Sequence, residues 1–174
     1  GGRRCLRFDG VDDYVFCNTT NLPLIGTSSL SISCWIKVIG SSSTNRRIIS
    51  YANDSTNKLD VIYQATSQLC IEINSGGTKY GGITVGNPNS ATWYHLAFSF
   101  NKAGATGTVY LNGIPQTVSV FNGGDQGTYN RLGIGSTAVP SAYFNGYIDD
   151  PRIYNRALSA TEVMQAYNAA NGSL

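Results

Sequence analysis

Hydrophobic and polar residues alternate along most of the chain, in short runs separated by turns rich in glycine, serine and asparagine. The longest run has five apolar side chains on one face: Leu30, Ile32, Cys34, Ile36 and Val38. A period of two residues is typical of a strand that is buried on one side. The same period predicts further strands over residues 4–8, 13–17, 46–51, 59–65, 69–74, 93–100, 108–111, 114–120, 131–134 and 144–154.

Two local signals complete the predicted elements. Asn112-Gly113 directly follows a predicted strand, and both residues tolerate the positive φ that a tight hairpin needs. Ser159 and Glu162 have the spacing of a helix capping box, and the apolar residues after them predict one short helix. Strands spaced roughly 8 to 12 residues apart are typical of a sandwich. The sequence therefore predicts one all-β domain over residues 1–174.

Composition narrows the classes of partner. The chain has 174 residues, 41% of them hydrophobic, which is enough to bury the core of one domain. Its net charge is +2 and no run of Lys or Arg exceeds two residues, so we expect no nucleic-acid partner. No stretch approaches the roughly 18 apolar residues of a membrane span. The start, Gly1-Gly2 followed by charged residues, lacks a signal-peptide pattern and is typical of an excised or processed domain.

The four cysteines are Cys5, Cys17, Cys34 and Cys70. None forms a C-x-x-C pair, so the usual spacing of a zinc site is absent. Cys34 lies on the apolar face of the longest predicted strand, which favours a buried free thiol. Free thiols are the favoured interpretation, and three disulfide pairings remain open.

Several sequence blocks, in order, resemble the laminin-G-like domains of the concanavalin A-like lectin/glucanase superfamily. They are Leu6–Val15, Leu30–Lys37, Trp93–Phe100, Val109–Gly113 and Phe144–Ser159, and together they span nearly the whole chain. The resemblance implies a two-sheet antiparallel jelly-roll sandwich with one short C-terminal helix. It leaves function open, because this fold hosts lectins, carbohydrate-binding modules, glycosidases and adhesion modules.

Pro151 departs from the family pattern, which usually has a β-branched residue at this position. Proline cannot donate a hydrogen bond to a neighbouring strand. We therefore expect the closing strand to be an edge strand or to be bulged at Pro151.

The sequence has few of the residues that glycoside hydrolysis or a catalytic triad requires. Glycoside hydrolysis normally uses two carboxylates, which the glucanases of this superfamily carry on one strand as Glu-x-Asp-x-x-Glu. The chain has two glutamates, of which Glu162 is explained by the capping box and Glu72 has no acidic residue two positions away. The single histidine, His95, lies in an aromatic-rich strand and is expected to pack as a structural residue rather than serve in a triad. The sequence predicts that the chain is not an enzyme.

Acidic residues near the two ends of the chain suggest a metal site; they are Asp9, Asp12, Asp13, Asp149 and Asp150. First and last strands of a sandwich commonly lie side by side, which would bring Asp9 and Asp149 together. Oxygen ligands suit calcium, and many members of the resembled family hold a structural calcium between these segments. We therefore predict a structural calcium with Asp9 and Asp149 as ligands. The alternatives are an Asx turn of Asp9 before Gly10, and ion pairs of Asp149 with Arg152 or Arg156.

The candidate sugar site lies on the polar face of two predicted strands. The side chains of Asp60, Gln64, Cys70, Glu72 and Asn74 share this face, which is too polar for a core. It is either plain solvated sheet or the floor of a shallow groove. Tyr80, in a predicted loop beside it, is a candidate stacking residue. The predicted ligand-binding residues are Gln64, Glu72, Asn74 and Tyr80.

Taken together, the sequence favours a non-catalytic, lectin-like module of a larger secreted or surface protein. Its expected partner is a glycan or polysaccharide, with a surface protein as a further partner, and its expected location is extracellular or on a cell or virion surface. The alternative is a structural or adhesion module of a phage or bacterial surface protein, and a glycoside hydrolase is less favoured than either. An exposed aromatic ring in a groove would favour the lectin, and a flat face of small polar residues the adhesion module.

Overall fold

The computed structural model describes residues 4–18, 29–41, 43–52, 58–66, 68–75, 78–85, 92–101, 103, 106–116 and 131–171. Within these residues there are twelve strands and one helix. The strands are β1 Leu6–Asp9, β2 Val15–Asn18, β3 Leu30–Val38, β4 Arg46–Ala52, β5 Lys58–Tyr63, β6 Leu69–Ser75, β7 Thr78–Val85, β8 Tyr94–Asn101, β9 Thr106–Leu111, β10 Ile114–Pro115, β11 Arg131–Ile134 and β12 Asn145–Tyr154. The helix, α1, is Ala160–Asn171.

The strands form two antiparallel sheets. Sheet A has the order β1-β12-β3-β8-β9-β10, and sheet B has the order β2-β11-β4-β5-β6-β7. Successive strands 4 to 7 pair as hairpin neighbours, whereas β12 returns from the end of the chain to lie between β1 and β3. This architecture confirms the predicted all-β, two-sheet antiparallel jelly-roll sandwich with one short C-terminal helix.

The core forms where the apolar faces of the two sheets meet. All five apolar residues of the β3 alternation belong to it, and sheet B contributes the alternating apolar residues of β5 and β6: Leu59, Val61, Tyr63, Leu69, Ile71 and Ile73. Because neighbouring residues of a strand point to opposite faces, the residues between these core positions lie on the outer faces of the sheets. The outer face of sheet B is where the candidate site lies.

Helix α1 covers the outer face of sheet A. The Tyr167 ring stacks on Trp35 with a centroid distance of 5.5 Å, and His95 lies 5.3 Å from the same indole. Val163 of the helix is buried with Ala97 and Tyr110. His95 is 2% exposed, which agrees with the expectation of a packed residue. In the part of the chain that is described, no helix is both long and apolar enough to cross a membrane.

The predicted capping box begins this helix. The Ser159 backbone N–H donates to Glu162 Oε2 at 2.9 Å, and the Glu162 N–H donates to Ser159 Oγ at 3.3 Å. Arg156 Nη2 lies 2.6 Å from Glu162 Oε1. Hydrogen bonds from Arg156 first, and then from Ser159, lower the pKa of Glu162 to about 2. The capping prediction is confirmed.

Other turns and bulges also follow the sequence. Asn112 and Gly113 have φ of 51° and 78° and connect β9 to β10, as the hairpin signal predicts. The pairing of β12 with β3 shifts register between Asp149 and Arg152, and Asp150 has a φ of 48°. The bulge expected at Pro151 is therefore present, and the interrupted ladder accommodates the missing donor.

One element was predicted wrongly. The segment around Tyr80 was predicted as a loop, but it belongs to β7, which includes Gly81 and Gly82 and pairs with β6. Glycine has a low strand propensity, and pairing with a neighbouring strand overrides it here. The strand predicted over 114–120 is β10 over Ile114–Pro115, and residues 117–120 lie outside the described part.

Candidate functional site

A cleft of about 250 Å³ opens on the outer face of sheet B. Its lining residues are Ser50, Ala52, Lys58, Asp60, Arg131 and the segment Thr137–Ser141. The first five come from three adjacent strands, and the segment comes from the connection between β11 and β12. The cleft therefore has a floor of sheet and one wall of loop.

Strand register brings the floor residues together. Ser50 pairs with Asp60, and Ala52 pairs with both Lys58 and Arg131 on its two sides. Residues two apart on a strand share a face, so all five side chains project from the outer face. The floor thus consists of two rows of side chains that run across the strands. Ser50 and Asp60 form one row, and Arg131, Ala52 and Lys58 form the other, with the alanine between the two cations.

The loop wall depends on a glycine in β11. A methyl group at Gly133 would lie 2.7 Å from the Thr137 carbonyl oxygen and 3.0 Å from that of Ser136. The loop therefore crosses the sheet in direct backbone contact, which a side chain at Gly133 would prevent. The Thr137 N–H donates to the Ser141 carbonyl at 3.0 Å and closes the loop on itself. Its rim residues Val139 and Pro140 are exposed.

Asp60 is the buried anion of the floor and is 0% exposed. Ser50 Oγ donates to its Oδ1 at 2.6 Å, and Arg47 Nε donates to its Oδ2 at 3.1 Å. Lys58 Nζ lies 3.4 Å from the same Oδ2. A buried carboxylate is costly unless it is paired and hydrogen-bonded. Ser50, Arg47 and Lys58 meet that requirement, and the ion pair with Asp60 holds the Lys58 ammonium at the cleft.

Arg131 contributes the second cation of the cleft. It is exposed, and within the described residues no ion pair or hydrogen bond engages its guanidinium. It begins β11, directly beside Ala52. With respect to the described part of the chain, the donors of Arg131 are therefore available to the cleft.

Two of the predicted ligand-binding residues border this floor. Asn74 pairs with Lys58, and Glu72 pairs with Asp60, in the β5–β6 ladder. Asn74 Nδ2 donates to Glu72 Oε1 at 3.1 Å. Glu72 lacks an acidic neighbour along its own strand, but the ladder gives it one in Asp60, a partner that the linear sequence does not show.

Of the other two predicted ligand-binding residues, Gln64 lies away from the cleft. Gln64 follows the end of β5, where its N–H donates to the Gln68 carbonyl at 2.8 Å. It is four residues from Asp60, roughly 13 Å along a strand. The Tyr80 side chain lies outside the described residues. The polar face is also less solvated than expected, since Ile62 and Cys70 on it are buried.

The register of β1 and β12 separates Asp9 from Asp149. The two strands are neighbours, as predicted, but Leu6 pairs with Ile148 and Asp9 pairs with Asn145. Asp149 is therefore four positions from the partner of Asp9, roughly 13 Å along the strand. This antiparallel register does not bring the two carboxylates to one ion.

Asp9 instead gathers with the residues that follow it. Single carboxylate oxygens of Asp9, Asp12 and Asp13 lie within 4.8 Å of one another. The Val11 N–H donates to Asp9 Oδ1 at 2.8 Å, which is the Asx turn expected at Gly10. These three carboxylates, termed the acidic turn below, are hard oxygen ligands of the kind that calcium takes.

Arg152 and Arg156, the partners expected for Asp149, pair with other carboxylates. Arg152 Nε lies 2.7 Å from Asp150 Oδ1, and Arg156 pairs with Glu162. The Asp150 N–H donates to Asp149 Oδ1 at 2.8 Å. Asp149 thus caps the bulge at Pro151.

The residues of the cleft that the sequence did not single out are Lys58, Arg131 and the loop wall. Arg131 begins a predicted strand, but nothing local to it shows which strand lies beside it. None of the four cysteines forms a disulfide, and Cys34 and Cys70 are buried.

Solved structures with the same fold include several binding domains. A heptameric pentraxin from Limulus polyphemus has a TM-score of 0.71 and 16% identity, over 92% of this chain and 80% of that one. A carbohydrate-binding module (CBM40) of a Ruminococcus gnavus sialidase, bound to α2,3-sialyllactose, has a TM-score of 0.68 and 13% identity, over 96% and 100%. The ligand-binding domain of botulinum neurotoxin serotype D, with N-acetylneuraminic acid, has a TM-score of 0.73 and 16% identity, over 90% and 40%.

The chain spans only part of some of these proteins. It covers 40% of the toxin domain and 27% of a Trypanosoma rangeli sialidase that also matches. No curated protein sequence matches significantly. A sequence profile for the concanavalin A-like lectin/glucanases superfamily matches residues 9–164. The chain therefore belongs to the concanavalin A-like lectin/glucanases superfamily, as the laminin-G-like sequence blocks indicated.

Proposed function

We propose that this chain is a non-catalytic glycan-binding module and that the cleft on sheet B is its glycan site. The carrying observation is the floor, where Asp60 accepts from Ser50 and Arg47 and holds Lys58 in place beside Arg131, whose guanidinium has no partner among the described residues. Small-ligand sites combine a few fixed polar groups with apolar walls. Val139 and Pro140 supply apolar surface for the C–H face of a sugar ring.

The structural relatives support this proposal at the level of fold. Two of them are described in complex with sialylated ligands, and both are binding domains. At 13% and 16% identity, their ligands do not transfer to this chain residue by residue. A secreted or surface location follows from the proposal and stays a prediction.

The test is a glycan-array screen followed by calorimetric titration of any ligand that binds. Val139→Trp places a large ring at the rim of the cleft without changing the core, because Val139 is 60% exposed. Ile114→Trp is the matched control, since Ile114 is 58% exposed and lies in β10 at the edge of sheet A. We expect Val139→Trp to weaken binding at least about tenfold, which is roughly 1.4 kcal/mol, and Ile114→Trp to leave it unchanged. No glycan binding, or equal binding by both variants, would favour the adhesion module.

A second candidate function is glycoside hydrolysis, which the pairing of Asp60 with Glu72 favours. Directly opposed residues have Cβ atoms about 4.5–5.5 Å apart, close to the about 5–5.5 Å between carboxyl groups in retaining glycosidases. However, Asp60 is completely buried and already engaged by three donors, so a substrate would have to displace them. Turnover of chromogenic glycosides that is lost in both Asp60→Asn and Glu72→Gln would establish the hydrolase.

The calcium expected from the family resemblance stays a prediction. The acidic turn offers an oxygen donor set that fits calcium better than the separated Asp9 and Asp149. A bound calcium would supply charge neutralisation there and take no part in the cleft.

A further inference from the structure

We infer that the cleft selects a sugar that carries a carboxylate, held by Arg131 and Lys58. This inference rests on the proposed glycan-binding function and adds the chemical class of the ligand. It follows from which hydrogen-bonding groups of the floor are engaged within the protein and which remain available to a ligand.

The acceptor groups of the floor are used within the protein. The carboxylate of Asp60 accepts from Ser50 and Arg47 and pairs with Lys58. A neutral sugar is bound best by a mixture of donors and acceptors, because each hydroxyl can be both. What the floor offers a ligand is mainly donors.

The donor groups are charged and lie on both sides of a small residue. Ala52 pairs with Lys58 on one side and Arg131 on the other, which places the two cationic residues two strands apart, about 9–10 Å between Cα atoms. The methyl side chain of Ala52 leaves space between them. A carboxylate above Ala52 would be within reach of both cations, and guanidinium binds carboxylate in a bidentate geometry.

The net charge of the cleft also favours an acidic ligand. Among the described residues of the cleft and its border there are three cations, Arg47, Lys58 and Arg131, and two anions, Asp60 and Glu72, which leaves one positive charge. The volume of about 250 Å³ is below the roughly 300–1,000 Å³ of sites for drug-sized ligands. One acidic sugar ring matches both the charge and the size.

The experiment compares a neutral sugar with sugars that carry an acidic group. Glucuronate against glucose tests the carboxylate, N-acetylneuraminate tests a second source of it, and glucose 6-sulfate tests an anion of another shape. We expect at least one carboxylated sugar to bind about tenfold or more tighter than glucose and glucose 6-sulfate, and its affinity to fall as salt is raised.

Variants of Arg131 and of a distant arginine distinguish a direct contact with the carboxylate from the general loss of one positive charge. Arg131→Gln should weaken the carboxylated ligand about tenfold, a larger loss than for glucose, and Arg131→Lys should lose less. Arg7→Gln is the matched control, because Arg7 is exposed and lies in β1 of sheet A. Thermal melts of each variant check that the fold is kept.

The outcomes distinguish the two proposals. If neutral glycans bind, Val139→Trp abolishes that binding and Arg131→Gln has no effect, the carboxylate inference is overturned while the glycan site stands. If sulfate and carboxylate bind equally, selection for carboxylate is overturned. If the wild-type protein binds none of these sugars and no glycan on an array, both proposals fail.

Discussion

At the scale of single residues, the floor of the cleft depends on the buried carboxylate of Asp60. Its removal in Asp60→Ala leaves Arg47 and Lys58 without their shared counterion. Breaking a buried pair in this way typically costs about 3–5 kcal/mol. We expect the free energy of unfolding, measured by urea denaturation, to fall by about 3 kcal/mol or more. Asp60→Asn, which can still accept a hydrogen bond from Ser50 but carries no charge, should recover only part of this loss, and wild-type stability of Asp60→Asn would contradict the role of the charge.

Cys34 gives a prediction about pH. Burial, and next the nearby negative charge of Asp150, raise the pKa of its thiol from 9.0 to about 12. In the unfolded chain the thiol ionises above about pH 9, while in the folded protein it stays protonated. The folded state then holds more protons, so its stability from this group is complete below about pH 9 and is lost as pH rises toward about 12.

The measurement is urea denaturation at about pH 8 and about pH 10, in wild type and Cys34→Val. We expect the wild-type protein to lose more stability than the variant over this interval. Identical pH dependences would show that Cys34 is not held protonated. Thiol labelling is a parallel check, because Cys17 is exposed and should react in the native protein before Cys34.

At the scale of elements, the cap of α1 is a contact that the sequence alone predicted. Ser159→Ala removes the acceptor for the Glu162 N–H and should lower the free energy of unfolding by about 1 kcal/mol. Ser43→Ala, at another exposed serine, is the control and should change stability little. Chemical denaturation of both variants measures the difference, and equal stabilities would mean that the cap contributes nothing.

The loop wall of the cleft gives a second prediction for an element. Gly133→Ala puts a methyl group 2.7 Å from the Thr137 carbonyl oxygen, so the loop must move away from the sheet. Because the loop lines the cleft, we expect sugar affinity to fall several-fold while the circular dichroism of the sheets is kept. Unchanged affinity would show that the loop does not contact the ligand.

Local sequence patterns predicted the secondary-structure elements well, but they predicted poorly which strands pair with one another. The alternation over Leu30–Val38 and the signals at Asn112-Gly113 and Ser159 are all borne out, because period, turn and cap depend on adjacent residues. β7 was missed because its stability comes from pairing with β6, which overrides the local preference of its glycines.

At the scale of the whole molecule, the position of α1 decides which sheet face can bind a ligand. The helix occupies the outer face of sheet A through Tyr167 and Val163, whereas the cleft lies on the outer face of sheet B. The sequence alone indicated that polar face through Glu72 and Asn74. It could not bring Arg131 to the same face, because β11 reaches β4 by a long-range pairing.

The acidic turn connects the two sheets, and this connection gives calcium a structural role to test. Asp9 ends β1 of sheet A, and β2 of sheet B begins soon after Asp13. An ion bound there would stabilise the folded state by about 2.7 kcal/mol at a concentration one hundred times its Kd. We therefore expect calcium to raise the melting temperature of the wild-type protein and chelation to lower it.

Two matched variants locate that ion. Asp12→Asn removes one carboxylate of the acidic turn and should abolish the calcium-dependent rise in melting temperature. Asp149→Asn tests the originally predicted ligand and should keep the rise, because the β1–β12 register places Asp149 away from the turn. The opposite pattern would return the ion to Asp149. No rise in the wild-type protein would mean that the three carboxylates form a solvated turn, closed by the hydrogen bonds of Asp9 with Val11 and Asp13.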